Sequence, residues 1–191
     1  MVNRKPRTVM YRRKRENKTN YLKRLKLLLS RKGRLVVRFT NKRVLAQLVE
    51  FTPKGDKVLV GVDSSALRQQ GWPYSCKNLP AAYLTGLLFG KKVAEKKYKG
   101  EMVFDTGFKS PLHKGKYYAF LKGVLDAGVN VPHRGKDLFP DDKKLQGAHI
   151  QDYASKMKGN KVQFAQYLKS NAAPENMSSA FAQVKQKLSG K

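Results

Sequence analysis

Residues 34–65 read "RLVVRFTNKRVLAQLVEFTPKGDKVLVGVDSS" and carry the strongest fold signal in the chain. Three runs rich in β-branched and aromatic residues are separated by a short turn near Asn41 and by the breaker "PKGD" at 53–56. Connections this short join antiparallel neighbours, because parallel strands need a longer crossover. The stretch therefore predicts a meander of three antiparallel strands.

The chain that follows alternates helix and strand signals. The segment 77–100, "KNLPAAYLTGLLFGKKVAEKKYKG", begins with a capping residue at Asn78 and predicts a helix, and "MVFDTGF" at 102–108 predicts a strand. A second helix over 116–127 and a short strand ending at Pro132 follow. Strand–helix–strand order implies parallel crossovers. We therefore predict an α/β fold with a mixed sheet and the element order β-β-β-α-β-α-β.

Two patterns predict how the helices dock. A helix over 18–31, capped by Thr19 or Asn20, would place five apolar residues on one face that packs against the body. In the helix of 77–100, the G-x-x-x-G spacing of Gly86 and Gly90 predicts close packing of helix on sheet. The apolar residues of the first helix are Tyr21, Leu22, Leu25, Leu28 and Leu29.

The sequence pattern changes in the last part of the chain, residues 133–191. A helix is expected near Pro140, and two short helices are expected within 161–170 and 174–188. We interpret them as an extension that packs on the core or on a neighbour. The predicted organisation is a basic arm at 1–15, an α/β core with its leading helix at 16–132, and a helical C-terminal extension at 133–191.

The charge balance is extreme and uneven. Forty-one Lys and Arg stand against thirteen Asp and Glu, which gives a net charge of +28. Residues 1–34 hold fourteen basic residues and one acid, Glu16, whereas residues 101–151 hold eight basic residues and six acids. Such an excess attracts polyanions, and nucleic acid is the commonest one, with an anionic membrane surface or a sulfated glycan as the alternative. The arm is predicted to order on RNA through Arg4, Lys5, Arg7, Arg12, Arg13, Lys14 and Arg15.

Cysteine content and hydropathy favour a soluble intracellular protein. Cys76 is the only cysteine, so neither an internal disulfide nor a cysteine-based zinc site is expected. The longest apolar stretch, "LPAAYLTGLLFG", stops before Lys91 and is shorter than the ~20 residues that a membrane helix needs. The N-terminus lacks the apolar segment of a secretory signal.

The order of elements resembles that of ribonuclease H-like nucleases, which raises the alternative of a catalytic function. Those enzymes carry a metal-binding carboxylate on the first strand, where this chain has Arg38. The remaining acids, at 63, 105, 126 and 142, have no spacing that marks a metal pair, and the three histidines are scattered. The sequence therefore predicts no enzyme, no metal and no cofactor, with an RNA-processing nuclease as the alternative.

Polar and basic residues along the predicted sheet are consistent with an RNA-binding surface. Arg38, Lys42 and Arg43 lie at the first turn, Gln47 lies on the second strand, and Ser64 ends the third. An ordinary solvated face explains the pattern equally well. The sequence carries no helix-turn-helix, zinc finger or basic zipper signal, and no RNP or KH motif either. RNA is favoured over DNA because folded RNA is recognised by shape and phosphate position, which suits a long basic arm.

Several long blocks in order resemble a known family. They are "YRRKRENKTNYLKRLKLLLSRKGRLVVRFTNKRVLAQLV", "NLPAAYLTGLL", "GKYYAFLKGVLDAGVNVPH" and "GAHIQDYA". Together they resemble the large-subunit ribosomal protein L-eighteen family of archaeal type, over residues 4–157. The resemblance implies a structural protein that binds 5S ribosomal RNA and anchors it to 23S ribosomal RNA in the central protuberance. It also implies neighbouring ribosomal proteins as partners, a cytoplasmic place in the large subunit, no membrane association and no homo-oligomer.

The same resemblance implies which residues contact RNA. Three groups match the family's motifs in the arm and first helix, in the first strand turn with the strands beside it, and at the start of the later helix. They are Arg12, Arg13, Arg15, Thr19, Tyr21 and Arg24; Arg38, Thr40, Asn41, Lys42, Arg43, Gln47 and Ser64; and Lys116 and Tyr117.

Overall fold

The computed structural model describes residues 8–135, 137–157, 162–170 and 172–189 and contains a four-stranded mixed sheet. Strands β1 (Gly33–Phe39), β2 (Val44–Thr52) and β3 (Gly55–Asp63) form the predicted antiparallel meander. Strand β4 (Met102–Asp105) pairs in parallel with β1, so the sheet order is β3-β2-β1-β4. The prediction of an α/β fold with a mixed sheet is confirmed.

The predicted fifth strand, ending at Pro132, is wrong. Residues 129–132 have no strand pairing in the described structure. Gly128 adopts a left-handed conformation with φ +86°, and the N–H of Val129 donates to Val124 O at 3.2 Å, which closes the end of the preceding helix. Pro132 has no N–H to donate to a ladder. The segment therefore serves as an anchor that buries Val131 completely.

Two long helices cover one face of the sheet. Helix α3 (Leu79–Glu95) starts at Asn78, whose side chain accepts a hydrogen bond from the N–H of Ala81, and α4 (Lys116–Asp126) follows β4. Beneath them the sheet contributes fully buried apolar side chains, among them Leu35, Val37 and Leu48. No described helix is long and apolar enough to cross a bilayer. The other helices are α1 (Arg12–Arg15), α2 (Tyr21–Leu29), α5 (Asp142–Leu145), α6 (Ala148–Lys156), α7 (Ala165–Lys169) and α8 (Met177–Ser189).

Gly86 mediates contact between helices, which corrects the prediction of helix-on-sheet packing. A Cβ at Gly86 would lie 2.2 Å from the backbone oxygen of Phe120, and a Cβ at Gly123 would lie 2.2 Å from that of Tyr83. At Gly90 the nearest atom would be the Cβ of Ala127, also on the chain of α4. The small residues therefore let α3 and α4 touch backbone to backbone over the sheet.

The apolar face of α2 is mostly exposed, contrary to the prediction that it docks. Leu22, Leu25 and Leu29 are 77%, 58% and 74% exposed. The opposite side of the helix faces the body, where the ammonium of Lys23 donates to Thr106 Oγ1 at 3.0 Å and to Gly107 O at 2.9 Å. Lys23 and Arg24, together with the partly buried Leu27 and Leu28, therefore hold this helix against the body.

The predicted C-terminal extension is helical and packs on the core. Helix α8 buries Met177, Phe181 and Val184, and the ring centroids of Phe181 and Tyr83 lie 5.5 Å apart. Because α8 covers the side of α3 that α4 and the sheet leave open, α3 is buried on nearly all sides.

The close contact between α3 and α4 leads to a stability prediction. Gly86→Ala should lower the free energy of unfolding by about 3 kcal/mol, because the added methyl group meets the backbone of α4 at Phe120 and Gly123, which cannot move aside as a flexible side chain could. Gly61→Ala is the matched control, since a Cβ there has no neighbour within 4 Å, and should change stability by less than about 1 kcal/mol. Urea unfolding followed by circular dichroism measures both variants. Equal stability of the two would show that the helices can separate at little cost.

Candidate nucleic-acid interface

The sheet face opposite α3 and α4 is only partly covered. Residues 13–24 pass over it and leave a groove of about 310 Å³, which we call the arm groove. The sheet contributes Arg34 and Arg38 from β1 and Gln47 from β2. The covering chain contributes further polar and basic side chains, namely Arg13, Lys18, Thr19, Asn20, Lys23 and Arg24. The fold therefore gathers cations from the arm, α2 and the sheet around one concave surface.

A buried arginine organises the floor of the arm groove. The guanidinium of Arg34, which is 5% exposed, donates from Nη2 to Asp56 Oδ2 at 2.6 Å and from Nη1 to Asp105 Oδ2 at 3.3 Å. Arg24 of α2 holds the other side of Asp56 through two bonds of 2.7 and 2.9 Å. This fork-to-fork geometry is the strongest arrangement of an arginine and a carboxylate. It fixes α2 to the sheet.

The charges of this network shift the pKa values of its members. Burial alone would raise the pKa of Asp56, but hydrogen bonds from Arg24 and Arg34 outweigh burial and hold it below its ordinary value of 3.8. The same bond raises the pKa of Arg24. Asp56 therefore stabilises the folded state above pH 3.8, and this contribution is lost as the pH falls through the lowered pKa.

Arg38 is held by backbone and keeps part of its side chain exposed. Its Nη1 donates to the carbonyl oxygens of Val37 at 2.8 Å and Asp105 at 2.7 Å, and its Nη2 donates to Asp105 Oδ1 at 3.4 Å, while 40% of the side chain remains exposed. Gly107 adopts φ +66°, and a Cβ there would lie 3.0 Å from Arg38 Cζ. The guanidinium is therefore fixed in position with a free edge available to an anion.

The arm begins as a short helical turn in which every residue is exposed. On α1, Arg12 pairs with Glu16 at 2.8 Å, and Arg13 donates to Thr19 Oγ1 at 2.8 Å. Lys14 and Arg15 make no side-chain bond within the described residues. Arg4, Lys5 and Arg7 lie outside them. In the described part of the arm, Lys14 and Arg15 are therefore free to contact a ligand, whereas Arg12 and Arg13 are bonded to neighbouring residues.

The turn between β1 and β2 separates structural residues from free ones. Thr40 Oγ1 donates to Arg43 O at 2.9 Å and accepts from the N–H of Arg43 at 3.0 Å, which closes the turn. Arg43 pairs with Asp63 at 2.8 Å. Asn41 and Lys42 are exposed at the tip. They are the residues of this turn whose side chains are presented to a ligand.

Two of the residues expected to contact RNA, Ser64 and Tyr117, make contacts within the protein instead. Ser64 is fully buried, and its Oγ accepts a bond from the N–H of Val44 at 2.9 Å, so no surface of it is available for RNA. The ring of Tyr117 packs on Phe39 with centroids 4.6 Å apart. Tyr21, by contrast, is partly exposed and contacts the ring of Tyr11 at 5.5 Å.

Sequence reasoning missed four basic residues that the structure makes important. Arg34 and Lys23 hold the floor and the cover of the arm groove, and Arg68 and Lys77 line a second groove described below. The sequence signal for Arg34 was its spacing from Val36 and Arg38, which follow it by two and four residues. This spacing puts all three side chains on the same face of β1.

The four acids considered for catalysis all have structural partners. Asp63 caps the 3₁₀ turn Ser64–Arg68, Asp105 pairs with arginines, Asp126 accepts from the hydroxyl of Tyr83 at 2.7 Å, and Asp142 pairs with Lys122. The described residues contain no group of three or more His, Cys, Asp or Glu that could hold a metal ion.

Breaking the buried network should be costly. Asp105→Asn should lower the free energy of unfolding by about 3 kcal/mol, because it leaves the buried charge of Arg34 without one of its two carboxylates. Asp142→Asn makes the same change in an exposed pair and should cost less than about 1 kcal/mol. Urea unfolding of both variants checks the difference. Similar losses for the two would mean that Arg34 does not depend on Asp105.

Comparison with known proteins identifies the family. A family model described as "Ribosomal large subunit proteins 60S L5, and 50S L18" matches residues 6–103, about half of the chain. The protein "Large ribosomal subunit protein uL18" of Korarchaeum cryptofilum (strain OPF8) is 45% identical over 185 residues, which cover 95% of this chain and 93% of that relative. The family consists of structural proteins of the large ribosomal subunit, a cytoplasmic particle of translation, and not of enzymes, which removes the nuclease alternative. This chain belongs to the large-subunit ribosomal protein L18 family, in its archaeal-type form.

Proposed function

We propose that the chain binds 5S ribosomal RNA and anchors it to 23S ribosomal RNA in the central protuberance. The observation that supports this most is the arm groove, in which exposed arm cations stand beside a guanidinium held rigidly on an open sheet face. A flexible set of charges binds phosphates of any RNA, whereas fixed donors select a particular backbone shape. Membership of a ribosomal family makes ribosomal RNA the relevant polyanion.

In the proposed mechanism, the arm, the core and the extension have different roles. Residues 1–15 act as the arm and displace counterions from phosphates, with Lys14 and Arg15 free for this in the described part. Residues 16–132 act as the core, where Arg38, Gln47, Asn41 and Lys42 face the RNA. Thr40, Arg43 and Arg24 support that surface through their internal bonds. Residues 133–191 act as the extension, which packs on the core and meets neighbouring ribosomal proteins.

The electrostatic part of the mechanism predicts a steep salt dependence. If about ten phosphates are engaged, log K for 5S ribosomal RNA should fall with log salt at a slope of roughly −7 to −9. Filter binding at several salt concentrations measures the slope. A slope near zero would exclude binding by counterion release.

Deletion of the arm and substitution in the β1–β2 turn should have different effects on RNA binding. Deletion of residues 1–15 should weaken binding to 5S ribosomal RNA and to a generic RNA of equal length alike, and should flatten the salt slope, because the arm contacts phosphates only. Asn41→Ala should reduce the preference for 5S ribosomal RNA while leaving the slope unchanged, because an exposed amide carries no charge.

Asn130→Ala is the matched control for the turn, since Asn130 is also an exposed loop residue and lies outside the proposed surface. Competition binding with the two RNAs gives the preference of each variant. If Asn41→Ala and Asn130→Ala have the same preference as the unchanged chain, the turn is not a recognition element.

A further inference from the structure

A second and larger groove lies on the other side of the β1–β2 turn. It has a volume of about 880 Å³ and is bounded by the tip of that turn, the loop 68–77 and helix α7. We call it the tyrosine groove, after Tyr167 on α7. Its volume is typical of a site for one or a few small groups rather than for a double helix. The extension therefore forms one wall of a cavity that the core alone does not have.

The cations of the tyrosine groove are free. Lys42, Arg68 and Lys77 line it and are all exposed, and no lining residue is Asp or Glu. In the part of the chain that the structure describes, no carboxylate lies within ion-pair distance of these three side chains. Arg24 and Arg34 in the arm groove, by contrast, are bound by Asp56. The tyrosine groove thus keeps its full positive charge for a ligand.

The environment of Lys116 supports a local excess of positive charge. Burial first, and then repulsion from the nearby Lys77, lower the pKa of Lys116. Lys77 lines the groove, so an anion bound beside it would relieve this repulsion.

The aromatic wall of the groove is held in place by the extension. The ring of Tyr167 is half-buried, its centroid lies 5.4 Å from that of Tyr74 in an edge-on arrangement, and Ser75 lines the groove beside it. Tyr74 in turn donates to Ala173 O at 2.6 Å. The side-chain amides of Asn41 and Gln166 stand at the exposed rim. A fixed aromatic surface next to amides is the usual means of binding an unstacked base.

We propose that the tyrosine groove binds a short unpaired segment of RNA. Phosphates contact Lys42, Arg68 and Lys77, and a base packs against Tyr167 with its polar edge toward Asn41 and Gln166. This inference rests on the proposed function, because it takes ribosomal RNA as the ligand, but it assigns a separate site and a strand type. It makes the C-terminal extension part of the RNA-binding surface.

Ultraviolet crosslinking tests the site directly. The full chain is bound to purified 5S and 23S ribosomal RNA, irradiated, and digested with nuclease and trypsin, and nucleotide-bearing peptides are identified by mass spectrometry. We expect adducts on the peptides 69–77 and 162–169, which carry the aromatic residues of the groove. If adducts map only to the arm and α2, the proposed function stands and the tyrosine groove is not an RNA site.

A charge-matched pair of variants gives a quantitative test. Replacement of Lys42, Arg68 and Lys77 by Ala should reduce the steepness of the salt slope for ribosomal RNA by about 2 to 3, roughly one per lost phosphate contact. The control replaces Lys91, Lys96 and Lys99 by Ala. These exposed cations lie toward or beyond the C-terminal end of α3, and Lys91 is already roughly 18 Å from Leu79 by the rise of the helix.

The outcomes separate the two proposals. Failure of the unchanged chain to bind ribosomal RNA would overturn the proposed function. Tight binding by the unchanged chain, with equal slopes for the groove variant and its control, would overturn the tyrosine groove alone. Circular dichroism of each variant confirms that the fold is retained.

Discussion

The buried guanidinium of Arg34 is the constraint on which the open side of the molecule depends. A charge taken out of water costs several kcal/mol unless it is paired well, and here two carboxylates from β3 and β4 pair with it. Arg24 then uses the second edge of Asp56, so that α2 is tied to the same point. One desolvated cation thus sets the positions of three strands and a helix, and the arm groove exists because these elements cannot move apart.

The acids of the chain are too few to neutralise it, and their placement decides which cations are left for RNA. Asp56, Asp105 and Asp63 lie close to the sheet, where they pair with Arg24, Arg34, Arg38 and Arg43. Arg24, Arg34 and Arg43 are therefore mainly structural, whereas Arg38 keeps part of its side chain exposed. Free cations are found at the arm, at the tip of the first turn and along the tyrosine groove. Counting positive charge along the sequence does not distinguish these two classes, because pairing depends on residues far apart in the chain.

Local signals were sufficient to predict much of the fold. Turn residues and β-branched runs defined the meander, and the cap at Asn78 marked the start of α3. The wrong predictions concern features that tertiary contacts determine. The run ending at Pro132 has strand-like residues, but Gly128 and Val129 close the end of α4 and the run pairs with no described strand. Leu22, Leu25 and Leu29 of α2 face outward, while Lys23 and Arg24 bond to the body of the protein. For the site, family motifs indicated the right region, but they could not show that Ser64 is buried or that α7 meets the loop 68–77.

The outward leucines of α2 have a consequence for the chain before assembly. Mutual repulsion between strongly cationic copies keeps such apolar stripes from meeting in dilute solution. RNA that neutralises the arm removes this repulsion while the stripe is still bare. An RNA that compensated the charge without covering Leu22, Leu25 and Leu29 would therefore lower the colloidal stability of the chain. The order in which the two surfaces are covered then determines whether the chain stays dispersed.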